Sequence, residues 1–176
     1  MTNRFRTLCL VLMVLSFLLL GIEGDASQPD GPLDWTLGSW HGVRRDAQDG
    51  TEAPMRVLVE RTPDGLGQIE RLEVQTDADP YVGFAVCTRD PVAGRWMRIY
   101  ANDVHPKFAR LAAQSVVGER VIWQSVTSRP PRGSRLVSER LGPDRWRRTQ
   151  EFSTDNGVTW QIRFIDELSR DQPMLP

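Results

Sequence analysis

The stretch "STDNGVTW", residues 153–160, decides how the rest of the chain is read. Asp155-Asn156-Gly157 is turn chemistry. Asn and Gly tolerate positive φ, and the Asp carboxylate can accept backbone N–H groups across the turn. The triplet sits between two strand-like runs, the second of which starts at Thr159 and Trp160. A hairpin is therefore predicted, with Asp155, Gly157 and Trp160 as structural residues. A calcium role for the same octet is the weaker reading, because one Asp supplies too few oxygen ligands.

The spacing S-x-D-x-G-x-T-W resembles a pattern found in the blades of sialidase-type β-propellers. Length argues against that architecture. A propeller needs at least four blades of four strands, and repeat folds need several copies of their unit. The chain has 176 residues and one copy of the octet. The motif is thus a local hairpin in some other all-β fold.

Outward from the hairpin the same grammar repeats. Runs rich in β-branched and aromatic residues alternate with turn signals. Strands are expected near 40–46, 54–62, 66–76, 81–89, 94–101, 108–117, 119–127, 134–141, 144–153 and 158–168. The turns between them carry "QDG", "PDG", "DADP", "DPVAG", "RPPRG" and "TDNG". Met55, Val57 and Val59 alternate onto one face, and so do Trp160, Ile162 and Phe164, which is the period of a strand. One segment, "DVHPKFARLAAQSV", also fits a short helix capped at Asp103. Ten successive strands with short links predict an all-β, antiparallel up-and-down barrel. Closure would remove the exposed edges. One domain over 33–170 follows, with a linker at 27–32 and a tail at 171–176.

The N-terminus, "MTNRFRTLCLVLMVLSFLLLGIEGDASQPDGP", has the layout of a secretory signal peptide over 1–26. Arg4 and Arg6 form a basic start, Leu8 to Leu20 is apolar apart from Ser16, and Gly24 and Ala26 lie two apart. The apolar run is short for a membrane span, which needs about 20 residues. An uncleaved anchor is the alternative, and the expected membrane contact is through this segment alone. Export to the periplasm or beyond is expected. Cleavage after Ala26 would leave Cys87 as the lone cysteine, so no internal disulfide forms and a packed core must supply stability. The formal net charge of −1 shows no basic patch of the kind nucleic acids select.

"LDWTLGSWHG", residues 33–42, resembles the start of a lipocalin-like, or calycin, barrel. The match would make Gly38 and Trp40 structural, with the Trp plugging the closed end. In such barrels an Arg from the last strand often stacks on that Trp, and Arg163 and Arg170 are the candidates. Further on, "RDPVAGRWMRIYAND", "FARLAAQSVVGERVIWQSVTS" and "GPDRWRRTQEFSTDNGVTWQIRF" follow in order. This order resembles an uncharacterised bacterial family of exported lipocalin-like proteins, over roughly residues 33–168. The resemblance implies a fold and no activity.

Candidate chemistry is sparse. His41 and His105 are the two histidines. Barrels of the nitrobindin type bind haem through a His in a late strand, and the late strands here hold none. No cofactor and no metal site is expected. A nucleophile, base and orienter are not brought together by any motif, so no catalytic residue is assigned. The aromatics are more informative. Trp96, Trp123 and Trp146 lie on separate predicted strands, as core or as the wall of an apolar cavity. Arg98 and Tyr100 follow Trp96 at spacings of two, and Arg148 follows Trp146 in the same way. Either those faces point to solvent, or the barrel interior is polar. The expected function is an exported barrel that binds a small hydrophobic or amphiphilic molecule, anionic in one version, with those six residues as the ligand set. The alternatives are an envelope structural or interaction protein with a filled barrel, and an enzyme on the same scaffold.

Overall fold

The computed structural model describes residues 31–77, 80–104, 108–126 and 131–171. The expected signal segment, most of the linker and the tail, and His105 lie outside these residues. Ten strands follow a single 3-10 turn at Asp34–Thr36: β1 Gly38–Asp46, β2 Glu52–Arg61, β3 Gly67–Val74, β4 Tyr81–Arg89, β5 Trp96–Asn102, β6 Ala109–Val117, β7 Arg120–Ser125, β8 Gly133–Gly142, β9 Arg145–Ser153 and β10 Gln161–Arg170. Each pairs antiparallel with its sequence neighbours, and β1 pairs with β10, so the sheet closes into an up-and-down barrel. Closure satisfies both edges of every strand. The segment that also fitted a helix is β6: its alternation is served by pairing with β5 and β7.

Alternation sorts the strands as the sequence implies. In β2, Ala53, Met55, Val57 and Val59 are buried and the residues between them are exposed. These pack with Trp35, Trp40, Leu72, Val74, Trp146 and Leu168 into one apolar cluster. Leu33, Cys87, Leu111, Val121 and Trp123 form a second. The face expected for Trp160, Ile162 and Phe164 does not form. A register shift between Ile162 and Phe164 breaks the period: Ile162 turns outward while the Phe164 ring lies 5.2 Å under the Arg44 guanidinium. An extra residue in one strand switches the side on which the following side chains emerge.

One end of the barrel is closed by the 3-10 turn. Trp40 is 0% exposed, donates Nε1–H to the Thr36 carbonyl at 2.8 Å, and meets Trp146 edge-on at 5.6 Å. Arg170 lies over the Trp40 ring at 4.1 Å and donates to the Leu37 carbonyl at 2.6 Å. Gly38 adopts φ +112°, and a Cβ there would sit 2.6 Å from Arg170 Nη1, so the glycine makes room for the stacked arginine. Arg163, the other candidate, stands near the start of β10, away from this end. It pairs with Asp46 at 2.9 Å instead.

The 153–160 hairpin is a closed hydrogen-bond set. Asp155 accepts from the Thr159 N–H at 2.9 Å, the Thr159 hydroxyl at 2.5 Å and the Ser153 hydroxyl at 2.8 Å. These bonds, Thr159 foremost, hold its carboxyl down at about 2. Asn156 and Gly157 take φ of +62° and +85°, as the turn requires. Trp160 donates to the Gly157 carbonyl at 3.1 Å and carries Arg135 over its ring at 4.4 Å. That use of Thr159 and Trp160 inside the turn delays β10 to Gln161.

Candidate functional site

The Arg-Trp faces singled out in the sequence point inward. Cys87 pairs with Arg98, Ala85 with Tyr100, Trp146 with Leu168 and Arg148 with Asp166, and directly opposed residues share a face. The barrel interior is therefore polar at its middle. Arg98 grips Glu70 through two bonds, Nη1 to Oε2 at 3.0 Å and Nη2 to Oε1 at 2.9 Å. Arg148 donates to Glu70 Oε1 at 2.6 Å and, through Nε, to Asp166 Oδ2 at 3.1 Å. Its Nη2 is 3.0 Å from the same Asp166 oxygen, at an angle that makes the contact ionic without a hydrogen bond. Arg44 completes the relay with a two-bond grip on Asp166, at 2.7 and 2.8 Å, and a bond to the Tyr81 hydroxyl.

Five buried or half-buried charges thus form one chain, Arg98–Glu70–Arg148–Asp166–Arg44. Burial alone would raise the Glu70 carboxyl. The guanidiniums of Arg98 and Arg148 overcome that and hold it at about 2. Burial likewise works against the Arg98 charge, and Glu70 more than restores it. The Cys87 thiol, 3.4 Å from Arg98, is pushed up by burial. A raised thiol stays protonated and is a poor nucleophile.

The other expected ligand residues are placed as follows. Trp146 and Trp123 are core, one in each apolar cluster. Tyr100 packs against the first cluster, and its hydroxyl accepts from Asn102 at 3.2 Å. The space left beside Glu70, Arg98, Trp123 and Trp146 is about 20 Å³, the scale of one water. Sequence reasoning missed Glu70 and Asp166, the carboxylates that stabilise two inward arginines, and Arg44, a third guanidinium held on Asp166.

Trp96 differs from the rest. It is half-buried at the rim of the closed end, against the second cluster, and lines a surface hollow of about 430 Å³. The other walls are Pro32, Ala113, Val116 and the polar residues Gln114 and Ser115, with Arg89 at the end of β4 and Arg95 just before β5. The pairing of β6 with β7 shifts register between Ala113 and Ser115, which leaves a bulge in the floor. Arg89 is steadied by a bond from Nε to the Gly94 carbonyl at 3.3 Å. Neither Arg89 nor Arg95 makes an ion pair among the described residues, although Asp90 acts on Arg95 through its charge. The Asp90 carboxylate is used by the turn itself, accepting from Val92 and Ala93 at 2.9 and 3.0 Å.

Two further hollows have a different chemistry. One, of about 380 Å³, holds Arg45 and Arg147, both paired with Glu side chains. Another, of about 240 Å³, is lined by His41, Arg56 and Glu73 and contains no aromatic ring besides the imidazole. His41 pairs with Asp171 at 2.5 Å on the surface. Among the described residues no three His, Cys, Asp or Glu side chains gather as a metal site would require.

No protein-family model matches the chain, and no curated protein matches it.

Proposed function

We propose that the chain is an exported, lipocalin-like barrel that holds a small anionic amphiphile, and that the ligand sits in the rim hollow at Trp96. The observation that carries this reading is the pairing of an aromatic wall with two guanidiniums that make no ion pair among the described residues, in a hollow of about 430 Å³. That size lies within the roughly 300–1,000 Å³ range of small-molecule pockets. Trp96, Val116 and Pro32 suit an acyl or aromatic body. Arg89 and Arg95 suit a carboxylate or phosphate head, which accepts charge-assisted hydrogen bonds. The interior works against the deeper binding mode. Arg98 and Arg148 already face two carboxylates of the chain, and a ligand head would have to displace one.

Octanoate titrated into the protein should quench tryptophan fluorescence saturably. Arg89→Ala/Arg95→Ala should weaken binding about tenfold, the worth of one lost charge-assisted contact. A saturable signal that is unchanged in the double variant would remove these arginines from the site.

A second reading has an observation of its own. Among the described residues, the space beside the ion relay is about 20 Å³. That favours a filled barrel acting through its outer surface, and no response to any anionic amphiphile would select it. Both readings have the chain exported. The mature protein from its host should lack about 26 residues by intact mass. A mass that retains Met1 or Arg4 would replace the secreted form with an anchored one.

A further inference from the structure

The outward faces of β2 to β6 carry an arrangement that the rim hollow does not use. Direct pairing lines up Glu60, Ile69, Val86, Ile99 and Arg110 in one row across five strands. A second row runs Leu58, Arg71, Phe84, Ala101. Leu58, Ile69, Val86 and Ile99 are each about 40% exposed and Phe84 is 52% exposed, on a surface that should be polar. Together they make an apolar patch on the order of a few hundred Å², the size that marks interaction sites on soluble proteins. Glu60 and Arg110, at opposite ends of the first row, make no ion pair among the described residues. Arg71 is engaged by Glu73 at 2.8 Å.

We propose that this face binds a second copy of the chain through a two-fold axis that runs parallel to β4 and passes over Val86. The row is self-complementary under that operation. Its acidic end falls opposite the basic end of the other copy, twice. Ile69 meets Ile99, Val86 meets Val86 and Phe84 meets Phe84 along the line of contact, while Arg71 falls opposite Ala101. An isologous contact demands this kind of match between a patch and itself. Charge sign decides between occupants. A membrane surface would select one sign at the rim, and an unrelated partner has no reason to match a row that is acidic at one end and basic at the other.

Barrel curvature fits the same arrangement. Two convex surfaces touch along β4 and diverge on both sides. Small branched residues occupy the line of contact, and the long Glu and Arg side chains stand where the gap is widest. Strand addition is not open to this fold, because the closed sheet has no free edge. The contact is smaller than the roughly 800 Å² per partner of a standard interface, so the dimer should be weak, with Kd on the order of 10 µM.

Sedimentation equilibrium over a concentration series tests the proposal. Wild type should move from monomer to dimer across the micromolar range. Glu60→Arg and Arg110→Glu should each raise Kd at least about tenfold by placing like charges opposite one another. The double reversal Glu60→Arg/Arg110→Glu restores both pairs and should bring Kd back to within about threefold of wild type. Val86→Lys sets two ammonium groups on the axis and should abolish the dimer. All three side chains project to solvent, and an unchanged thermal unfolding midpoint confirms that the fold is intact. A protein that stays monomeric at high micromolar concentration overturns the proposal. A dimer whose affinity is not rescued by the double reversal, or that survives Val86→Lys, overturns it equally. Binding to anionic vesicles without self-association would assign the face to a membrane instead.

Discussion

Glu70→Gln should destabilise the barrel by about 3–5 kcal/mol in urea unfolding, the cost of leaving a buried charge without its partner. The substitution keeps the shape but turns one accepting oxygen into an NH2 donor and removes the negative charge between Arg98 and Arg148. Arg148 then keeps Asp166, and Arg98 is left buried with no carboxylate partner among the described residues. The Glu70 carboxyl provides an independent gauge. Its depression from 4.5 to about 2 corresponds to roughly 3 kcal/mol of native-state preference for the ionised form. The sign follows from the depressed value. The unfolded chain binds the proton more readily, so this contribution is complete above about pH 4.5 and is lost as pH falls towards 2. Wild-type stability should therefore decline steeply across that window, and the decline should be shallower in Glu70→Gln. Equal slopes for the two proteins would show that the carboxylate does not carry the acid sensitivity.

A paired change separates charge balance from packing. Glu70→Leu/Arg98→Met removes one anion and one cation and leaves Arg148 with Asp166. Apolar replacements of whole buried pairs are often neutral. The double variant should thus lie well above the sum of its single variants, with a coupling of about 1–3 kcal/mol. That outcome would mean that the relay sets which side chains can face one another inside the barrel, more than how stable the barrel is.

Alternation made the fold legible, and it made one half of the relay legible. Trp96-Arg98-Tyr100 and Trp146-Arg148 could be placed on shared faces because strand period is two. The inward direction of those faces was visible only as a choice between solvent and a polar interior. Glu70 resisted discovery for a physical reason. In β3 the inward residues are Gln68, Glu70, Leu72 and Val74, while Ile69 faces out. In β4 the inward residues include Gly83, Ala85 and Cys87, and the larger Phe84 and Val86 are outside. Hydrophobicity along one strand therefore gives a mixed signal. The acid is inside because its partners come from β5 and β9, and that juxtaposition exists only once the barrel has closed. Arg44 and Asp166 belong to the same case, since β1 and β10 meet only across the seam.

The rim hollow was half legible. Trp96 carried an aromatic signal, but Arg89 and Arg95, at the edges of the strands expected near 81–89 and 94–101, carried no signal of a site. The bulge in β6 left no mark in the sequence, because one additional residue in a strand of mixed composition looks the same as a longer strand. The closed end was the most legible part. A glycine before a tryptophan, preceded by a short turn, located the plug, and Gly38 proves to be the point at which the stacked arginine needs space. Two arginines competed for the stack in the sequence. Strand direction decides it: β10 runs towards the closed end, so its last residue, Arg170, arrives over Trp40 and Arg163 is left at the far end.

Trp40→Ala should cost about 3–5 kcal/mol, as other large-to-small changes at buried aromatic positions do. Three separate contributions are lost together. The ring is fully buried among Trp35, Met55, Val57, Trp146 and Leu168, and its removal opens a cavity that strands held on both sides cannot collapse to fill. The edge-on contact with Trp146 at 5.6 Å adds about 0.5–1.5 kcal/mol beyond area burial. Arg170 loses the ring beneath it, a contact worth about 0.5–2 kcal/mol. Arg170→Ala isolates the last of these. It removes the cation together with its bonds to the Leu37 and Trp35 carbonyls but leaves the ring in place, and should cost about 1–2 kcal/mol. Trp40→Phe keeps an aromatic plug while losing the bond to the Thr36 carbonyl, and should fall between the two. The ordering Trp40→Ala, Trp40→Phe, Arg170→Ala, from most to least destabilised, can be read from urea midpoints at constant slope. A loss below 1 kcal/mol for Trp40→Ala would mean that the closed end is held by the strand seam alone, with the 3-10 turn as a lid that rests on it and contributes little.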